Sequence, residues 1–82
     1  MKPIEEFDRV ALTVDLPEFG FRAGDVGVVV DISSNGRGYT LEFFSISGKT
    51  LNVIPVKPDQ VRLIEDTEIQ SVRPFSLTDR AE

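Results

Sequence analysis

Apolar residues recur at every second position along several stretches of this chain. From Asp8 to Leu16, Val10, Leu12 and Val14 share one face, and Ala11, Thr13 and Asp15 share the other. That period of two predicts a half-buried strand. Pro17 to Gly24 contains one proline and two glycines and reads as a long loop. Val26 to Ile32 is the second strand, with Val26, Val28, Val30 and Ile32 on one face. Asn35-Gly36, within Ser33 to Gly38, is a strong hairpin signal. Tyr39 to Phe44 is the third strand, with Tyr39, Leu41 and Phe43 aligned. Ser45 to Lys49 turns again, and Thr50 to Val56 is the fourth strand. Lys57-Pro58-Asp59-Gln60 reads as one 3-10 turn, because proline suits the first helical position. Val61 to Ile64 is a short fifth strand.

No connection is long enough for a helical crossover, so the pairing is expected to be antiparallel. Five short strands of this kind predict an all-β fold, a small barrel or folded-over sheet. The expected core is Val10, Leu12, Val14, Val28, Val30, Leu41, Phe43, Leu51, Val53, Val61 and Leu63. A slip of one residue exchanges the two faces of a strand. The register stays open in the second and fourth strands, where both faces are apolar. On the expected register Val29, Phe44 and Ile54 lie opposite the core.

Gly24-Asp25 stands directly before the second strand. Glycine reaches positive φ at no steric cost, and an Asp side chain bonds nearby backbone in a tight turn. A long loop of a small SH3-like barrel commonly ends in this way. Gly27 falls inside the strand, where glycine weakens pairing. A strand keeps such a residue where another backbone comes close or a barrel corner bends. Gly24, Asp25 and Gly27 are therefore read as structural. A phosphate-binding loop is excluded, because no GxGxxG or GxxxxGK[ST] is present and no helical pattern follows.

Residues 1–64 form one unit, the barrel, and residues 65–82 break its pattern as an acidic tail. Glu65 to Arg73 has the composition of a short helix capped by Asp66 or Thr67 and stopped by Pro74. Two readings stand for this tail. In one it is solvated. In the other it docks through Ile69, Val72, Phe75 and Leu77.

Composition narrows the chemistry. At 82 residues the chain is one domain, and a domain this small buries only about 60% of its unfolded surface. It holds no cysteine and no histidine. Disulfides, thiolate metal sites and the commonest general base are thereby excluded. No calcium-loop pattern is present, so no metal or cofactor is expected. The longest apolar run, Val28 to Val30, is far below a membrane span. The N-terminus shows no hydrophobic signal region, so a cytoplasmic location is expected. The net charge is −5. Seven Lys/Arg face nine Asp/Glu in residues 1–64, and two face five in the tail.

Phe7 to Glu18, Gly20 and Ala23 to Val30 together resemble a family of small, mostly bacterial proteins of unknown function. Its pattern is roughly FDxVxLxxDLPExGLxxGDxGxVV. Tyr39 to Phe44, Gly48-Lys49-Thr50 and Val61-Arg62 are similar to the family's later elements. The likeness covers about residues 7–64, with Phe21 where the pattern prefers Leu. It implies an SH3-like barrel, in keeping with the five strands and the 3-10 turn before the last strand read above, and it brings no catalytic residues. The tail lies outside it.

Catalysis is not expected. Asp15 with Glu18, and Glu5 with Glu6, are paired carboxylates in predicted exposed segments, without the burial that shifts a pKa. Ser33, Ser34, Ser45 and Ser47 have no histidine to activate them. Lys49 and Lys57 sit in polar turns. A nucleic-acid reading rests on the likeness of the glycine turn to the KOW motif, with Phe19, Phe21, Tyr39 and Phe44 as stacking aromatics. The acidic balance opposes it, because binders of this kind cluster their basic residues. The favoured reading is a protein-interaction module. Phe19, Phe21, Val29, Phe44 and Ile54 would form an exposed apolar patch, and open sheet edges would allow self-association. An alternative is an antitoxin-like acidic inhibitor of a basic partner.

Overall fold

Short strands joined by tight turns satisfy their backbone groups by antiparallel pairing, and all five strands here do so. A computed structural model describes residues 3–70 and 72–75. The strands are β1 (Arg9–Leu12), β2 (Val26–Ile32), β3 (Tyr39–Phe44), β4 (Thr50–Val56) and β5 (Val61–Leu63). They form one sheet in the order β4-β3-β2-β1-β5, antiparallel at every step. Pro55 is tolerated because β4 lies at an edge of the sheet, where a missing N–H costs little. The fold is all-β, and its described helical turns are two 3-10 turns, Pro17–Phe19 and Pro58–Gln60. No helix among the described residues is long and apolar enough to cross a membrane.

Register decides which side chains form the core, since paired residues share a face. Val10 faces Gly27 and Leu63, and Leu12 faces Val61. Val29 faces Leu41, which in turn faces Ile54. The inward positions of β2 are therefore Gly27 and Val29, not Val28 and Val30. Those of β4 are Ile54 and Val56, not Leu51 and Val53. This corrects the expected register in both strands by one residue. Val29 is 0% exposed and Ile54 1%, whereas Val28 and Val30 are half-buried and Val53 is exposed.

Two β-bulges account for the difference. Between Val29 and Asp31 the partner strand advances by only one residue, so Val30 is the extra residue. Beyond it Ile32 turns inward, opposite Tyr39. Leu51 is the extra residue of the second bulge, opposite Phe43–Phe44. It packs against the core half-buried. A bulge resets which parity points inward, so strict alternation fails across it.

The first strand is shorter than its hydrophobic pattern predicts. After Leu12 the chain leaves the ladder. Thr13 N–H donates to the Gln60 carbonyl (2.8 Å), and its hydroxyl donates to the Asp59 carbonyl (2.9 Å). Val14 is consequently exposed and does not join the core. At the other end, Phe7 is 72% exposed with φ 72°, a left-handed conformation costly for a bulky residue. Its N–H donates to the Val29 carbonyl (2.6 Å), and Val29 N–H donates to the Asp8 carbonyl (2.9 Å). These bonds carry the pairing one step beyond β1.

Gly27 is the pivot of the packing. A Cβ there would sit 3.0 Å from Phe43 Cζ and 3.1 Å from its Cε1. The close approach is made by an aromatic ring lying over the strand, not by a second backbone. Gly27→Ala is expected to destabilise the fold by about 1–3 kcal/mol, because a packed ring must move. Urea unfolding checks this, and an unchanged midpoint would mean that the ring moves aside freely. Gly24 has φ 93°, and nothing lies within 4 Å of its Cβ direction. Gly24→Val is expected to cost about 1–3 kcal/mol from backbone strain alone. Gly24→Asn should recover part of that loss in the same measurement, since Asn tolerates positive φ.

Candidate functional site

The loop between β1 and β2 closes on itself before it reaches the site. Leu16 N–H donates to the Phe21 carbonyl (2.9 Å), and Phe21 N–H returns to the Leu16 carbonyl (3.2 Å). Within that bridge Pro17–Phe19 makes a 3-10 turn, ended by Gly20 at φ 84°. Asp15 Oδ1 accepts from Ala23 N–H (2.9 Å), so this carboxylate serves the turn. Asp25 Oδ2 accepts from Arg22 N–H (2.8 Å), and Asp25 N–H donates to the Arg22 carbonyl (3.0 Å). Gly24 N–H and the Asp25 carbonyl bond Leu12, which ties the turn to β1. The loop is thus held rigidly with Phe21 aimed at the sheet.

Phe21 stacks on Phe43, with centroids 3.9 Å apart and planes 20° apart. Phe75, from the C-terminal segment, stacks on Phe21 at 5.0 Å and 19°. Three rings therefore pile up on Gly27. Each offset-stacked pair adds about 0.5–1.5 kcal/mol beyond its buried area. Beside the stack, Arg73 Nε donates to Asp25 Oδ1 (3.0 Å), its Nη2 bonds Asp25 Oδ2, and Nη2 also donates to the Gly20 carbonyl (3.1 Å). This fork matches the two oxygens of a carboxylate, a geometry specific to Arg. The hydrogen bonds it donates to Asp25 raise the pKa of the Arg73 guanidinium further above its usual value.

These groups line a groove of about 580 Å³. Its floor is Phe21, Phe43, Val26 and Val28, and Phe44, Ile46 and Leu51 extend it along the β3–β4 end. Among the described residues, Arg9, Asp25 and Arg73 are its charged lining residues. Phe44 is 43% exposed, and Ile46 is fully exposed at the hairpin tip.

The expected patch is corrected at three of its five positions. Phe21 (3% exposed), Val29 and Ile54 belong to the core, because the bulged registers of β2 and β4 and the closed loop turn them inward. Phe19 is half-buried against the core. Phe44 alone of the five is exposed and lines the groove. Sequence reading missed Ile46, Leu51 and Arg73. The Arg73–Asp25 contact spans 48 residues and carries no local signal. In the C-terminal segment, residues 65–68 make a single turn in place of the expected helix. Ile69 and Val72 are exposed, Phe75 is packed, and Leu77 lies outside the described residues.

Sheet and groove together define a small all-β domain whose one long loop presents an aromatic stack. The chain belongs to the family described as a domain of unknown function, DUF4926, which it matches over residues 6–67. Gly20, Phe21, Asp25 and Phe43 lie inside that match, and Arg73 and Phe75 lie beyond it. No curated protein and no solved structure matches the chain.

Upstream of the groove segment, Arg62 forks onto Glu68, with Nη1–Oε1 at 2.7 Å and Nη2–Oε2 at 2.6 Å. The hydrogen bond from Arg62, with help from the Glu65 N–H, lowers the Glu68 pKa to about 2. A lowered carboxylate pKa contributes stability above its unfolded value and loses it as pH falls through the folded one. The turn at 65–68 should therefore loosen between the ordinary carboxylate range and about pH 2. Carboxyl NMR titration should place Glu68 near pH 2, with Arg62→Gln returning it to the usual range of about 4.3. A wild-type midpoint already in that range would refute the pairing.

Proposed function

We infer that this chain is a non-enzymatic protein-interaction module built as an SH3-like barrel. The strand order, the long closed loop after β1 and the 3-10 turn before β5 support the barrel reading. One observation carries the functional reading: an apolar groove floored by stacked Phe21 and Phe43 opens onto exposed Phe44 and Ile46. Exposed aromatic and aliphatic side chains beside a preformed concavity favour a protein partner. The charged groups of the groove favour recognition over catalysis. Asp25 is spent on the loop turn and on Arg73, and among the described residues no second carboxylate lines the groove. With Arg73 engaged by Asp25, Arg9 is the remaining lining cation among the described residues, too little to attract a phosphate backbone.

The test is capture of partners from the native host, read by mass spectrometry, with three forms of the full chain. Wild type and Val14→Asp, altered at an exposed site outside the groove, should retain the same partner. The double variant Phe44→Asp/Ile46→Asp should lose it while unfolding cooperatively. A partner retained equally by all three forms, or a wild-type chain recovered alone and monomeric at high concentration, would sink the reading.

A further inference from the structure

Residues 72–75 are anchored in the groove by two side chains, with Val72 along its lining. Arg73 enters the fork made by Asp25 and the Gly20 carbonyl, and Phe75 caps the ring stack. The residues around these anchors bury little, since Val72, though it borders the groove, and Ile69 are among the most exposed apolar side chains. Among the described residues, no backbone–backbone hydrogen bond joins 69–75 to the sheet. Pro74 restricts Arg73 to extended backbone, which sets the spacing of the two anchors without any bond to the domain. Recognition by two side chains at fixed spacing does not depend on the covalent link to residue 68. It is how a groove reads a short extended peptide.

We propose that the groove is a recognition site for an extended Arg-Pro-Phe segment of a partner protein, and that the chain's own Arg73-Pro74-Phe75 occupies it as a displaceable strap. The inference rests on the interaction-module reading and adds the chemistry of the ligand. The acceptor half is complete without the strap. Asp25 is fixed by Arg22 N–H, Gly20 by its own turn, and Phe21 by Phe43. One carboxylate and one carbonyl demand a donor fork, which selects Arg over Lys. The face of Phe21 that Phe75 covers takes a flat apolar group two residues beyond the Arg. A tethered segment competes at an effective concentration on the order of millimolar. The strap therefore masks the site against weak ligands and yields to a partner with further contacts, for which Phe44 and Ile46 are placed.

The probe is an end-blocked, fluorescent peptide of residues 70–75, added to the full-length chain and followed by anisotropy. The double variant Arg73→Ala/Phe75→Ala should bind it at least ten-fold more tightly than wild type. Adding Asp25→Asn to that variant, or placing Arg73→Ala in the peptide, should cost at least ten-fold. No binding to the folded double variant, or equal binding by it and by wild type, overturns the proposal. If the double variant does not unfold cooperatively, Arg73→Gln alone takes its place with the same two outcomes. A silent peptide leaves the interaction reading standing, because that reading is scored by the captured partner and by Phe44 and Ile46.

Discussion

The close contact between the Phe43 ring and Gly27 organises this domain. A side chain at position 27 would collide with the ring, so the absence of a Cβ lets an aromatic lie flat over the centre of β2. Position 27 must then point inward, which sets the parity of β2 and places Val29 in the core. Leu41 and Ile54 follow through the ladders. On its outer side the same ring receives Phe21, which anchors the long loop between β1 and β2. That loop carries Gly20 and Asp25, the polar half of the groove. Core, loop and candidate site thus share one contact.

Much of this was legible in the sequence, for physical reasons that differ between elements. The inward face of β3 is read correctly as Tyr39, Leu41 and Phe43 because no bulge interrupts those three positions. The Gly24-Asp25 turn, the hairpin at Asn35-Gly36 and the proline-started turn before β5 follow from local chemistry. The parity of β2 and β4 was not legible. Each carries apolar residues on both faces, and each contains a bulge that resets the alternation. Gly27 was the clue to β2. It marked a close approach, and only the long-range partner, a ring rather than a backbone, says which face is meant.

The candidate site was the less legible part. Phe21 and Phe44 both looked like exposed aromatics, yet one is a core residue and the other a groove residue. What separates them is the bridge between Leu16 and Phe21, which folds the loop back on the sheet. Alternation cannot report that, because the residues concerned are not in a regular strand. Arg73 was hidden for a simpler reason: a tail with no periodicity gives no indication of where its side chains go.

The two halves of the groove contact differ in what holds them. Asp25, Gly20 and Phe21 are each fixed by bonds or packing within the domain, so their geometry is prepared before any ligand arrives. Among the described residues, Arg73 and Phe75 have no such support apart from the groove itself and the turn that Arg62 fastens at Glu68. Preorganisation lowers the entropy cost of binding on one side only. On the proposed reading the domain is the receptor and the segment the ligand, even though one chain supplies both. Under that proposal the fork and the ring select the ligand, and another chain presenting both at the same extended spacing offers the same contacts as residues 73–75 but must overcome their tethering.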